Sequence, residues 1–430
     1  MNREILRLAI PNILSNLSIP LLSTVDTALM GRLSEVHIGA VGIASMIFNF
    51  VYWNFGFLRM GTTGITAQFF GRNARPGMIL TLTRAALIAL LLGLILLAVQ
   101  WPLREAASYL LQVDESTYPH VATYFNIRIW AAPATLLLYA VMGWFFGMQN
   151  AVYPLILTVA INALNMVISY VLVFNYHLEI AGVAWGTVIA QYFGLLLAVV
   201  LWLIKYRGFA ADLQRRAVLR WTALRRFLEI NRDIFIRTLF LTFAFGFFYS
   251  QSSGFGEQIL AVNVILLQFV NWLSYGIDGF AFATESIIGK YFGAGRRDKL
   301  AIAIRYNFLW ALGMSALVAL LYILFGEPLL RIFTDQPDVI ANARPYLFWM
   351  SVFPLIAFAC YIWDGVYVGL TASKAMRNSM ALALLVFLLI YYPLRQTWGN
   401  HGLWMSFIIF LAARGVLQWI WFRRYGFDLS

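Results

Sequence analysis

Apolar runs of roughly 20 residues or more follow one another along the whole chain, and each is long enough to cross a hydrocarbon core about 30 Å thick as a helix. Twelve such spans are expected, at 5–33, 38–70, 78–103, 120–147, 153–175, 179–205, 229–253, 257–291, 299–325, 340–370, 376–396 and 401–423. Of the 430 residues 62% are hydrophobic and 12% charged, which is too little polar surface to cover a water-soluble globule. In lipid every backbone N–H and C=O must be satisfied within the protein, and runs of this length meet that demand as helices. The expected fold class is an all-α integral membrane protein.

The net charge of +12 would suit a nucleic-acid partner, but its distribution does not. Lysines and arginines gather in alternate loops, around Arg3 and Arg7, Arg72 and Arg75, Lys205 to Arg232, Lys290 to Lys299, Lys374 and Arg377, and Arg423 and Arg424. The intervening loops carry mainly acids, among them Glu35, Glu105, Asp114, Glu179, Glu257 and Glu327. This alternation is the positive-inside pattern and places both termini in the cytoplasm, with the lipid bilayer as partner and no nucleic acid. No small-residue cleavage site follows the first apolar run, so 5–33 is expected to be a retained span. Cys360 is the only cysteine, which excludes an intrachain disulfide and a thiolate metal cluster. No histidine stands in metal-ligand spacing, and neither a metal nor a cofactor is expected.

The two halves repeat each other. Residues 57–71, Phe57 to Gly71, align without gaps on 279–293, with Thr62 on Thr284 and Phe70-Gly71 on Phe292-Gly293. Gly147 pairs with Gly369, Pro133 with Pro354 and Ala40-Val41 with Ala261-Val262 at nearly the same offset. Two parallel six-helix repeats follow, residues 1–206 and 229–430, arranged as two lobes around a central cavity. Parallel repeats of this kind suit transporters that alternate access. Residues 207–228 form a basic cytoplasmic linker, in which Leu213, Ala217, Trp221, Leu224 and Leu228 recur at helical spacing among six arginines. That pattern predicts an amphipathic helix on the anionic leaflet, with a solvated basic loop as the alternative.

Charge inside the spans is the functional signal. Asp26 stands in the otherwise apolar stretch from Leu21 to Met30, where insertion of an aspartate costs about 2.5–3.5 kcal/mol, so it is expected to face a protein interior or wet cavity and to handle an ion. Ser15, Ile19, Ser23, Asp26 and Met30 share one helical face, and Pro11 and Pro20 each remove a backbone donor and permit a bend. In the fifth span Thr158, Asn162, Asn165 and Ser169 line another face, with Thr187 and Gln191 of the sixth span placed to complete a polar pocket. In the second half Asn271, Asp278 and Glu285 recur every seven residues on the eighth span, and Asp364 lies in the tenth. These acids are candidates for Na+ ligation, for accepting protons or for pairing with Arg59, Arg128 or Arg414. Met30, Met60 and Met166 are candidate substrate-lining residues, since thioethers adapt to irregular apolar cations.

The first span with its two prolines running into Asp26 and Gly31, residues 57–71, Asn231-Arg232-Asp233, and residues 278–285 together resemble the multidrug and toxic compound extrusion (MATE) family. Met376-Arg377-Asn378-Ser379-Met380 and Gly399 to Trp404 resemble its DinF branch. The resemblance runs over essentially the whole chain. It implies a bacterial inner-membrane antiporter, acting as a monomer, that exports small amphipathic and often cationic compounds against an inward flow of H+ or Na+. It assigns proton coupling to Asp26, bending to Pro11, and support to Asn165 and Thr187. Two departures stand out: Ser169 occupies a position where many relatives carry an acid, and Leu22 one where they carry a tyrosine. Asp26 is therefore expected to work without a second carboxylate and to protonate within the working range of a proton antiporter.

Other classes fit less well. A lipid-intermediate flippase would call for several basic residues in a lobe cavity. An intramembrane transferase would need clustered aspartates for a metal diphosphate, and a channel a filter-like loop.

Overall fold

The computed structural model describes residues 1–30 and 35–424, and of residues 19, 21–28, 30 and 35 the backbone alone. Among them the secondary structure is helical, without a β-strand. The helices are α1 (Asn2–Met30), α2 (Glu35–Asn54), α3 (Phe57–Gly71), α4 (Arg75–Ala98), α5 (Gln100–Leu110), α6 (Tyr118–Arg128), α7 (Ala132–Gly147), α8 (Val152–Tyr170), α9 (Glu179–Tyr206) and α10 (Arg215–Val218). They continue as α11 (Trp221–Ser253), α12 (Glu257–Gly293), α13 (Arg297–Leu330), α14 (Pro337–Ala343), α15 (Leu347–Gly369), α16 (Ser373–Trp398) and α17 (Asn400–Arg424). Eleven helical segments among the described residues, from Val36–Gly71 to Asn400–Arg424, are long and apolar enough to cross a membrane. The first expected span falls on α1 and on residues 31–33, which lie outside the described residues. The architecture is an all-α, twelve-span fold of two repeats.

By their contacts the residues form two compact units, Leu14–Leu228 and Met1–Ile13 with Glu229–Ser430. Relative to lobes of 1–206 and 229–430, the first thirteen residues group with the second half and residues 207–228 with the first. The division falls inside α1, whose backbone is helical without a break through both Pro11 and Pro20. The start of α1 is held on α12 by charge and by close packing. Glu4 accepts from Lys290 Nζ at 2.5 Å and from the Tyr291 hydroxyl at 2.7 Å, and Gly279 leaves room for the Ala9 carbonyl and Ile13. Burial opposes ionisation of Glu4, but those two hydrogen bonds outweigh it and hold its carboxyl below the usual value.

In the first unit α3 and α4 pack on α7, and α8 packs on α9. Trp144 sits fully buried among Phe145, Tyr206 and Phe209 and donates from Nε1 to the Met78 carbonyl at 2.9 Å. In the second unit α12 and α13 pack on α15, α17 packs on α15 and α16, and Phe248, Phe353, Phe387, Trp404 and Phe407 form an aromatic core. The internal repeat is physical as well as textual. A Cβ at Gly147 of α7 would stand 2.9 Å from the Thr63 carbonyl oxygen of α3, and one at Gly369 of α15 would stand 2.8 Å from the Glu285 carbonyl oxygen of α12. One turn earlier Gly143 abuts the Arg59 backbone and Gly365 the Ala281 backbone. Each unit therefore contains a Gly-x-x-x-Gly crossing in which backbones meet at near contact, the small-residue packing favoured between helices in lipid. The turns that follow also repeat: Gln149 and Thr371, at φ 61° and 54°, and Asn73 and Gly295, at φ 52° and 68°, occupy equivalent left-handed positions.

One expectation is refined and one corrected. The second span falls on Val36–Gly71 as expected, with a turn at Phe55–Gly56, closed by Phe55 N–H to Tyr52 O and Gly56 N–H to Trp53 O, between α2 and α3. The linker is not a continuous amphipathic helix. It comprises a 3-10 segment Arg207–Asp212, extended backbone at Leu213 and Gln214, the single turn α10, and then the start of α11 at Trp221. Arg84 of α4 explains the stop: its guanidinium donates to the Ala217 carbonyl at 2.6 Å and the Val218 carbonyl at 2.9 Å, binding outward the last acceptors of α10.

Candidate functional site

The polar face of α8 meets α9 and α1 inside the first unit. Asn165 is 2% exposed and Ser169 fully buried, so each polar atom there must find a partner within the protein. Asn165 Nδ2 donates to Thr187 Oγ1 at 3.0 Å, Ser169 Oγ donates to Asn165 Oδ1 at 3.3 Å, and Thr187 Oγ1 in turn donates to its own helix at the Val183 carbonyl, 3.2 Å. Asn162 Nδ2 reaches Ser18 of α1, at 2.9 Å from Oγ and 3.3 Å from the carbonyl oxygen. The sequence-expected residues Asn162, Asn165, Ser169 and Thr187 are thus brought together, with Ser18 as an added partner. Thr158 turns its hydroxyl to the Pro154 carbonyl of its own helix at 2.9 Å, and Gln191 lies half-buried one turn beyond Thr187.

The close crossing of α8 and α9 explains why a small hydroxyl occupies position 169. A Cβ at Gly186 would lie 3.0 Å from the Ser169 backbone nitrogen and collide with Ser169 Oγ, so the helices touch at this level. A carboxylate there would enter a closed space already filled by neutral amides and hydroxyls. The side chains of Asp26, Ser23 and Met30 lie outside the described residues. Met60 on α3 and Met166 on α8 are half-buried, as are Pro11 and Pro20 on α1.

The acids of the second unit separate into distinct environments. Asp364 is buried between Arg237 of α11 and Arg414 of α17, whose guanidiniums both bond its Oδ2, while Gln418 Nε2 donates to Oδ1 at 2.7 Å. Of the three arginines considered as partners from sequence, only Arg414 meets this carboxylate, and Arg237 joins it. Arg237 is the one charged residue of 234–253, and the cost that marked Asp26 applies equally to a lone intramembrane cation. Asp278 is half-buried on α12. Glu285 is 2% exposed on α12 beside Gly369, and Asn271 donates to Gln268 Oε1 at 3.4 Å.

The motifs singled out in the second half prove to be clamps. Arg377 Nη1 donates to Asp233 Oδ1 at 2.7 Å and Ser373 Oγ to Oδ2 at 3.3 Å, so residues 231–233 and 376–380 join α11 to α16. Asn263 exchanges two hydrogen bonds with Asn400, at 2.8 and 3.0 Å, and accepts from Trp404 Nε1 at 2.9 Å. Arg128 in the first unit bonds the Tyr124 hydroxyl at 2.7 Å and Ser45 Oγ at 3.2 Å under the Phe48 ring.

A twelve-span helical fold of two repeats, with buried amide and charged networks inside its spans, defines a multi-pass membrane transporter. The sequence profile of the MatE family matches residues 11–171 and again 234–394, once in each repeat, and the chain belongs to that family, which comprises transporters rather than enzymes. It is 35% identical to DNA damage-inducible protein F of Escherichia coli, across 99% of this chain and 93% of that protein. It is 23% identical to the probable multidrug resistance protein NorM of Thermotoga maritima, across 98% and 92%. A solved outward-facing structure of a multidrug resistance MATE family transporter of the MOP superfamily superposes with a TM-score of 0.91 over 99% of this chain and 96% of that one, at 19% identity, which is a likeness of fold.

Proposed function

We propose that this protein is an H+-coupled antiporter of a bacterial inner membrane, with both termini cytoplasmic, that exports small amphipathic and often cationic compounds by alternating access as a monomer. Multidrug resistance in the names of the relatives supports the substrate class, and the coupling proton is assigned to Asp26 as the lone acid of its apolar stretch. The neutral set of Asn162, Asn165, Ser169, Thr187 and Gln191 supplies polar partners in the same unit without a competing charge.

The observation that favours H+ over Na+ is the state of Asp364. Its oxygens are taken by Arg237, Arg414 and Gln418, and a Na+ bound there would lie beside two cations. Asp364 is therefore read as an anchor rather than an ion ligand. The test is transport of a fluorescent cation into proteoliposomes under separate pH and Na+ gradients, with wild type, Asp26→Asn and Asp278→Asn. The reading expects the pH gradient to drive transport and Asp26→Asn to abolish that drive. Transport driven only by Na+, with Asp26→Asn neutral, would overturn it.

A further inference from the structure

Within the second unit α13, α15 and α17 enclose a groove of about 640 Å³, inside the ~300–1,000 Å³ range of small-molecule sites. Phe308, Leu312, Trp363 and Trp419 line it, together with two arginines, Arg305 and Arg423. The lining is ordered along the helices. Arg305 lies about two turns into α13 and Arg423 in the last turn of α17, next to Arg424, so both stand at the basic ends of their helices. From Arg305 the wall descends one turn to Phe308 and another to Leu312, and from Arg423 one turn back to Trp419, whose ring lies 4.3 Å beneath the Arg423 guanidinium. Trp363 closes the floor, buried against Phe308 and Phe422.

Both arginines are exposed, and among the described residues no carboxylate pairs with either. Two guanidiniums above an apolar slot are complementary to a phosphate carried on hydrocarbon, since guanidinium matches phosphate through bidentate hydrogen bonds and basic pockets between helices attract anionic headgroups. A cationic compound would be repelled at the rim, and a free phosphate would leave the aromatic wall unused. We propose that this groove binds one anionic phospholipid, its phosphate held between Arg305 and Arg423 and an acyl chain lying over Trp363, Phe308 and Leu312. None of its lining residues belongs to the polar row on α8 and α9 or to the Asp364 cluster, and its lipid is a bound component rather than cargo.

The probe is phosphatidylglycerol against phosphatidylcholine, added to delipidated protein in detergent and read by thermal shift and by lipids retained in native mass spectrometry. Wild type should be stabilised by phosphatidylglycerol in preference, with roughly fivefold weaker apparent affinity for each arginine removed in Arg305→Gln and Arg423→Gln. Arg207→Gln, an exposed arginine of the other unit, should keep the wild-type preference. Each single variant is measured as well as the pair, so that a poorly folded double variant does not decide the matter. Equal response of wild type to the two lipids, unchanged preference in the Arg305 and Arg423 variants, or equal loss in Arg207→Gln would overturn the assignment. So would glycerol phosphate alone reproducing the shift, which would mark a phosphate site without the lipid.

Discussion

Arg237 and Asp364 face each other inside the second unit, and the carboxylate oxygen they share is also bonded by Arg414. Removing the carboxylate strands two guanidiniums in a site where neither reaches water. Asp364→Asn is expected to lower stability by about 3–5 kcal/mol, the usual effect of breaking a buried pair from one side. Adding Arg237→Gln should restore part of that loss. Thermal unfolding of the purified protein in detergent measures both, and an Asp364→Asn protein as stable as wild type would show that the cluster is not the anchor described.

Gly186 and Gly313 make a matched test of helix crossing. Alanine in place of glycine on an open helix face gains up to about 1 kcal/mol, and a Cβ at Gly313 meets nothing within 4 Å. At Gly186 the same Cβ meets Ser169 backbone atoms at 3.0 and 3.1 Å, which cannot rotate away. Gly186→Ala is expected to destabilise by about 1–3 kcal/mol through overpacking, while Gly313→Ala is neutral or stabilising. Comparable melting temperatures for the two variants would contradict the close approach of α8 and α9.

Arg84 fixes the linker to α4 through two carbonyls. Arg84→Met keeps the apolar stem and removes both bonds, and hydrogen bonds to charged groups contribute about 1.5–3 kcal/mol. The expected result is faster proteolytic nicking between residues 207 and 220 with little change in global melting. Cleavage at the wild-type rate would mean that the linker is held by other contacts.

Asp114 gives a pH-dependent signal outside the spans. Its Oδ1 accepts from Ser116 Oγ at 2.5 Å, Ser116 N–H at 3.0 Å and Thr117 N–H at 2.9 Å, and these bonds lower its pKa from 3.8 to about 2. Because the folded value is depressed, the stabilisation is present above the unfolded value and is lost as pH falls from about 3.8 through about 2. Protection of the Ser116 and Thr117 amides, taken as exchange relative to the intrinsic rate at each pH, should fall across that window in wild type, and Asp114→Ala should show the lower protection at every pH. A wild-type protection factor unchanged below pH 4 would count against the turn.

Much of the helical architecture was legible because its signals are linear: run length marks the spans, and the match of 57–71 with 279–293 marks the repeat. The row Asn162, Asn165, Ser169 was legible for the same reason, since helical spacing alone brings those positions to one face. Partners chosen across helices were not. Nothing in the order of residues distinguishes Arg237 from Arg59 as the mate of Asp364, because that choice depends on which spans adjoin. The linker failed as an amphipathic helix because its periodicity ignored Arg84, a residue more than a hundred positions away that takes the carbonyls a longer helix would use. Gly143 and Gly365 escaped notice because a glycine in an apolar span has no pattern until its neighbour is known.

The duplicated crossing holds shape constant while charge varies. Position for position, Arg59 and Thr63 against Gly143 and Gly147 are replaced by Ala281 and Glu285 against Gly365 and Gly369. An arginine in one copy and a glutamate in the other are carried by the same steric frame, so the glycine crossing fixes how closely the backbones meet and leaves the charge beside it free to differ.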